Sequence, residues 1–268
     1  MQSDRQFAGS IPALYDRYLG PLIFADYAAD LARRAAALAP ERVLETAAGT
    51  GIVSRALARA LAPATEIVAT DLNQPMLDYA AVQPGAEKIV WRRADAQSLP
   101  FADASFDAVV CQFGVMFFPD RPAAYREVRR VLKPDGCFLF NVWDRIEENE
   151  FANRVTDAIA ALFPADPPGF LARTPHGHHD VAVVTSELSR SGFGRVEVGT
   201  LAKRSRAVSS LEAAIGFCEG TPLRSEIEAR APERLGEATA AAAAAIAARF
   251  GAGPVDGKIQ AHVFTARR

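Results

Sequence analysis

Residues 42–57, RVLETAAGTGIVSRAL, constrain the fold most. An apolar pair, Val43 and Leu44, is closed by an acid, Glu45. Small residues follow at Ala47, Ala48, Gly49, Thr50 and Gly51, and apolar residues return at helical spacing at Ile52, Ala56 and Leu57. This order reads as a buried strand, a tight turn and a helix. A turn without bulky side chains lets a ligand lie against the main chain. The helix beyond it points free N–H groups into the same crevice. The alternative on these residues alone is a turn packed tightly for its own sake.

Residues 66–71, EIVATD, read as a second apolar strand that ends in an acid, Asp71. In a doubly wound sheet the end of the second strand sits beside the first turn, where a carboxylate can accept hydrogen bonds from both hydroxyls of a ribose. Asp71 could instead cap the helix that follows through Leu72, Asn73, Gln74 and Pro75. The ribose role is favoured.

Two cofactor classes share this geometry, nicotinamide dinucleotides and S-adenosylmethionine. The dinucleotide fingerprint G-x-G-x-x-G meets Ala47, Gly49 and Ile52 here and fails at two of its three glycines. The stretch instead resembles the first motif of class I S-adenosylmethionine-dependent methyltransferases, acid-x-G-x-G-x-G, with Glu45, Ala47, Gly49 and Gly51 in its places. Ala47 replaces the first glycine, a change that a negative φ would accommodate. Residues 93–101, RADAQSLPF, resemble the family's segment after its third strand. Residues 105–111, SFDAVVC, resemble its fourth strand, and residues 126–136, REVRRVLKPDG, its following helix and turn. The resemblance is specific from about Tyr15 to Trp143, within the group that methylates ubiquinone and menaquinone precursors.

The resemblance implies an α/β fold. It is a doubly wound seven-stranded sheet of order 3-2-1-4-5-7-6 with strand seven antiparallel, helices on both faces, N-terminal helices and a helical insertion before the last strand. It implies one methyltransferase domain over 1–268, with an N-terminal helical lid at 1–40, a cofactor-binding core at 41–145 and a helical substrate cover at 203–256. The implied cofactor is S-adenosylmethionine, leaving S-adenosylhomocysteine after transfer. The implied cofactor contacts are Tyr18, Glu45, Ala47, Gly49, Gly51, Asp71, Leu72, Met76, Asp95, Ala96, Gln112 and Phe113, with Asp95 meeting the adenine amino group. Of the aromatic loop after the fourth strand, Gln112 and Phe113 are expected to face the cofactor and Phe118 to pack.

Periodicity places strands at about 42–47, 66–71, 88–93, 106–112, 136–143, 195–202 and 258–267. Helices are expected at 51–62, 73–81, 120–132, 151–162 and 181–191. Residues 208–250 read as helices broken near Gly220 and Pro232, and residues 163–175 as a proline-rich loop. Two helices are expected across 12–38, the second starting at Pro21, with Tyr15 and Tyr18 on one face. Arg126, Arg129 and Arg130 read as a solvated face.

The formal net charge of −2 and the lack of a basic tract argue against nucleic acid as a partner. The N-terminal sequence lacks a secretory pattern, and no apolar run reaches a membrane span, so no membrane insertion and a cytoplasmic location are expected. Cys111 and Cys137 fall on expected strands and read as buried thiols.

Methyl transfer at a sulfonium needs alignment and exclusion of water more than a particular side chain, so no catalytic residue is assigned. His176, His178, His179 and Asp180 are the visible base candidates. The same run could bind zinc, but adjacent histidines do not easily share one ion and no metal is expected. Asp180 reads as a helix N-cap.

The expected function is methyl transfer to a small, partly apolar molecule. A nicotinamide-dependent oxidoreductase is the alternative, and it lacks both the third glycine and a Tyr-x-x-x-Lys pattern. A non-catalytic S-adenosylmethionine-binding protein is the other, supported only by Ala47. Monomer and homodimer both stay open.

Overall fold

The computed structural model describes residue 7 and residues 9–268. Residues 1–6 and 8, the start of the expected lid, lie outside the described residues. The seven strands are β1 (Arg42–Thr46), β2 (Glu66–Asp71), β3 (Ile89–Arg93), β4 (Phe106–Gln112), β5 (Leu132–Trp143), β6 (Arg195–Ala207) and β7 (Val255–Arg267). They form one sheet of order 3-2-1-4-5-7-6, as expected. Strands β3, β2, β1, β4 and β5 pair in parallel. The Asp144 N–H donates to Gln260 O and the Arg268 N–H to Gly136 O, so β7 runs against β5.

The parallel strands are covered by helices and therefore apolar on successive residues. Val43, Leu44, Val109 and Val110 are fully buried. Helix α3 (Ile52–Ala60) follows β1, α4 (Gln74–Ala81) follows β2, and α5 (Arg121–Val131) follows β4. Cys111 and Cys137 are buried, as read from the sequence, and so is Cys218.

The expected fifth strand began at 136, but β5 starts at Leu132, directly after α5. Register shifts between Phe106↔Leu132 and Ala108↔Cys137, so the KPDG segment is a bulge inside the strand, with Asp135 at φ 63°.

The chain divides into two compact units. Unit 1 comprises residues 1–26, 143–177 and 202–260; unit 2 comprises residues 27–142, 178–201 and 261–268. Unit 2 carries the core of the parallel strands, with Leu31, Leu57, Ala69 and Val110 in one apolar cluster. Asp107 Oδ2 accepts from the N–H groups of Glu41 (3.1 Å) and Arg42 (2.8 Å), and its Oδ1 from Lys133 Nζ (2.7 Å). The acid of the SFDAVV motif thus pins the start of β1 to β4.

Arg130 and Arg129 are not the solvated face expected of them. Arg130 donates to the carbonyls of Leu99 (2.9 Å) and Phe101 (2.8 Å), and Arg129 to the carbonyl of Gly192 (2.8 Å). Both guanidinium groups thus serve as donors to loop carbonyls. Arg126 alone of the three is exposed.

Unit 1 opens with a continuous helical run, where two helices had been expected. It comprises α1 (Ile11–Leu14), a π-helix (Tyr15–Phe24) and α2 (Ala25–Ala36), whose residues from Tyr27 onward belong to unit 2. Pro21 starts no helix and lies inside the π segment. In an α-helix its ring would crowd a carbonyl of the previous turn; the wider i→i+5 turn carries the chain through.

The π register also re-sorts the side chains. Residues nine apart face opposite ways on an α-helix, but at about 4.4 residues per turn they share a face on a π-helix. Tyr15 accordingly stacks on Phe24, with ring centroids 4.8 Å apart. Tyr15 and Tyr18 do not share a face as α spacing implied.

The rest of unit 1 holds α6 (Glu150–Leu162), α7 (Phe170–Arg173), α9 (Ser210–Glu219), α10 (Leu223–Arg230) and α11 (Leu235–Phe250). The break expected near Gly220 separates α9 from α10. The expected loop at 163–175 contains the short α7. In unit 2, α8 (Val181–Arg190) precedes β6. No helix among the described residues is long and apolar enough to cross a membrane.

Candidate functional site

The turn after β1 is built from left-handed residues. Ala47, Gly49 and Gly51 have φ of 53°, 55° and 78°. Gly51 precedes the first turn of α3, and a Cβ there would stand 2.6 Å from the Trp91 ring. Gly51 therefore answers to both backbone conformation and packing. A Cβ at Gly49 would meet nothing within 4 Å, so the main chain there borders open space.

Two carboxylates close the strands beside the turn. Asp71 is 7% exposed. Its Oδ2 accepts the Gly49 N–H at 2.9 Å and its Oδ1 the Asn73 N–H at 2.8 Å. Asp71 therefore ties the end of β2 to the turn after β1. Asn73, not Asp71, is the N-cap of α4. Burial raises the Asp71 carboxyl above the usual range, opposed by the Asn73 and Gly49 N–H groups.

Glu45 is 1% exposed and accepts from the Ser54 hydroxyl of α3. Burial pushes it up to about 8; Asp71 adds to the rise, while the Ser54 bond and Arg55 oppose it. The Arg55 guanidinium donates to Thr50 O at 2.6 Å. The Thr50 hydroxyl and the Trp91 indole N–H are buried without a hydrogen-bond partner.

The third wall follows β4. The Phe113 N–H donates to Asn141 Oδ1 at 3.0 Å. Phe113 has φ 50°, which turns its ring edge-on to Tyr27, 5.3 Å between centroids. Phe113 is buried and Phe118 half-buried. Sequence reasoning missed Asn141, although a polar residue inside the run CFLFNVW was its signal.

Farther along, Asp95 Oδ1 accepts the Gln97 N–H at 2.9 Å. Its neighbour Ala96 is buried, as is Met76, while Leu72 is exposed. Eleven of the twelve expected cofactor contacts fall in unit 2; Tyr18 falls in unit 1.

The histidine run does not converge. Asp180 caps α8 as expected, accepting from the N–H groups of Ala182 and Val183. His178 is buried beside Glu187 at 3.4 Å. Burial lowers its pKa to about 4, with Arg121 pushing the same way and Glu187 opposing. His176 belongs to unit 1, where its Nδ1 lies 2.8 Å from Asp144 O. The carbonyl requires a hydrogen on Nδ1, leaving the lone pair on Nε2. His176 ends a row of rings that runs through Trp143 and Phe24 to Tyr15.

A methyltransferase-domain family profile matches residues 44–140, which span this site. A Pseudomonas putida ubiquinone/menaquinone biosynthesis C-methyltransferase, UbiE, is 30% identical over 172 residues, 59% of this chain and 67% of the relative. The chain belongs to the class I S-adenosylmethionine-dependent methyltransferases.

A Deinococcus radiodurans demethylmenaquinone methyltransferase is 44% identical over 107 residues, 39% of this chain and 44% of that one. The chain thus spans about two thirds or less of the length of these relatives. Among solved structures, the Haemonchus contortus phosphoethanolamine N-methyltransferase 2 superposes with TM-score 0.60 at 16% identity, covering 99% of this chain and 59% of that one. The YcgJ protein from Bacillus subtilis does so at 0.56 and 21%, covering 91% and 98%. These two likenesses are of fold.

Family membership removes the nicotinamide reading. The residues present fit S-adenosylmethionine: open space borders Gly49, and a buried carboxylate already held by main-chain N–H groups stands beside it. The chain departs from its family's motif at Ala47, and the negative φ expected there is not found. Left-handed backbone costs an alanine about 1–2 kcal/mol. Its methyl group is accommodated because the residue opposite is Gly114: a Cβ at 114 would stand 2.6 Å from Ala47 Cβ and 2.7 Å from Cys111 Sγ.

Gly114→Ala should destabilise the protein by about 1–3 kcal/mol through overpacking, and the loss should shrink in an Ala47→Gly background. Denaturant unfolding of the four proteins measures the coupling; strict additivity would remove the contact from the account.

The second prediction concerns pH. The folded pKa of Glu45 lies above its unfolded value, so its contribution to stability is complete below about 4.5 and is lost as pH rises towards about 8. Glu45→Gln should therefore flatten the fall in unfolding free energy of the ligand-free protein between pH 5 and 8. An unchanged slope in the variant would show that Glu45 does not hold this proton.

Proposed function

We propose that the chain transfers a methyl group from S-adenosylmethionine to a small, partly apolar molecule. The observation that carries this reading is Asp71, a buried carboxylate that accepts from Gly49 and Asn73 at the mouth of a left-handed glycine turn. Asp71 Oδ1 also takes the Asn73 side-chain amide at 3.3 Å, so of a carboxylate's roughly four lone-pair directions one stays clear for a ribose hydroxyl and a second opens when that long Asn73 contact gives way. The bound cofactor would supply a methyl group already activated on a sulfonium. The chain's own part is to bind, orient and exclude water.

In this reading Glu45, Ala47, Gly49 and Gly51 shape the turn around the cofactor. Asp71, Leu72 and Met76 border its sugar, Asp95 and Ala96 its adenine, and Gln112 and Phe113 its remaining wall. Asp95 takes the Gln97 N–H and side-chain amide on Oδ1 and the same amide on Oδ2, which leaves a lone pair on Oδ2 for an amino group. The acceptor is proposed to be apolar because the relatives are named for quinone methylation and unit 1 carries the ring row of Tyr15, Phe24 and Trp143. Residues 203–256 are proposed to select it. A small molecule rather than nucleic acid as the acceptor also agrees with a formal net charge of −2, and the enzyme is proposed to be cytoplasmic.

Incubation with methyl-labelled S-adenosylmethionine and a panel of phenols and quinols tests the reaction, and label should move to one class of acceptor. Asp71→Ala should weaken S-adenosylhomocysteine binding by about 1.5–3 kcal/mol, the scale of a hydrogen bond to a charged group. Calorimetric titration of the folded variant measures it, and unchanged affinity would take Asp71 out of the site.

A further inference from the structure

Unit 1 contains a recess whose lining takes in Arg206, Val208 and Glu212 of the 203–256 segment and none of the ring row. Its volume is about 340 Å³, within the range of small-molecule sites. Tyr18 and Pro21 of the π-helix, Val208, and Pro254 ahead of β7 give it an apolar lining, and Arg17 and Arg206 bring two guanidinium groups. The Arg17 guanidinium lies 5.0 Å over the Tyr18 ring and has no carboxylate partner among the described residues. Arg206 donates its Nε to Asp256 at 3.0 Å. That bond fixes the plane of the group and leaves its terminal N–H groups for another acceptor. Glu212 is the only carboxylate in the lining.

We propose that this recess binds an amphipathic anion: a phosphate group held by Arg17 and Arg206, joined to an apolar body that lies on Tyr18, Pro21 and Pro254. Two arginines from separate elements suit a phosphate, with its several terminal oxygens, better than they suit a neutral ligand. Glu212 opposes a bare anion, so the apolar body supplies part of the affinity. Val208 is 67% exposed and Leu211, beside Glu212 on α9, is 50% exposed. Aliphatic side chains next to arginines also occur where a protein meets a lipid interface. The phosphate can therefore come from a free molecule or from a lipid headgroup. The recess shares Tyr18 alone with the expected cofactor contacts, and the inference does not depend on methyl transfer.

Equilibrium titration of the full chain with phenyl phosphate tests the site, with inorganic phosphate and phenol as half-ligands. Phenyl phosphate should bind saturably and more tightly than either half. Arg17→Gln and Arg206→Gln should each weaken it roughly tenfold, and Glu212→Gln should strengthen it. That opposite sign is one that a merely structural role would not produce. Thermal melting of the variants confirms that each is folded.

Flotation with phosphatidylglycerol vesicles identifies the source. Capture that is lost in a Val208→Ser, Leu211→Ser double variant assigns the phosphate to a lipid, and phenyl phosphate binding without capture assigns it to a free molecule. Either supports the site. Binding of neither probe, or binding that ignores all three charge substitutions, overturns it.

Discussion

The hydrogen bonds from Gly49 N–H and Asn73 N–H to the buried Asp71 carboxylate are the constraint on which the site depends. They join two consecutive strand ends across a parallel pair and hold a turn in which Ala47 takes a left-handed backbone that alanine rarely adopts. Around that join the chain accepts further costs. Glu45 is buried beside a second carboxylate with a serine hydroxyl as its side-chain donor. Ala47 and Phe113 sit at positive φ, and the Thr50 hydroxyl is buried unpaired. Strain and unmet polar groups gather around this turn, the pattern on which the proposed cofactor site rests.

Much of this was legible in the sequence because each feature has a local cause. Apolar runs closed by Glu45 and Asp71 give strand ends, small residues between them give a tight turn, and both appear where read. The order of the sheet followed from the resemblance across residues 15–143. What could not be read lies in contacts between distant residues. Gly114 makes room for Ala47 sixty-seven positions away, and Asn141 fixes Phe113 from a neighbouring strand. Arg129 and Arg130 look solvated until the loops whose carbonyls they satisfy are in place.

The N-terminal segment shows a different limit. Its spacing was read at 3.6 residues per turn, and by that rule Tyr15 and Tyr18 pair while Pro21 begins a helix. The π register reverses both conclusions. It places Tyr15 on Phe24, in the ring row that reaches Trp143 and His176, and Tyr18 in the arginine-lined recess. Only Pro21 in mid-helix hinted at the change of pitch, and a proline alone does not distinguish a wider turn from a break.

The most direct test of the account is a titration of isotope-labelled protein with S-adenosylhomocysteine, followed by the backbone amide resonances. The account predicts saturable shifts at Gly49 and Asn73, the two amides held by Asp71, with smaller effects at strand residues remote from the turn. Binding that leaves both amides unmoved while resonances elsewhere shift would contradict it.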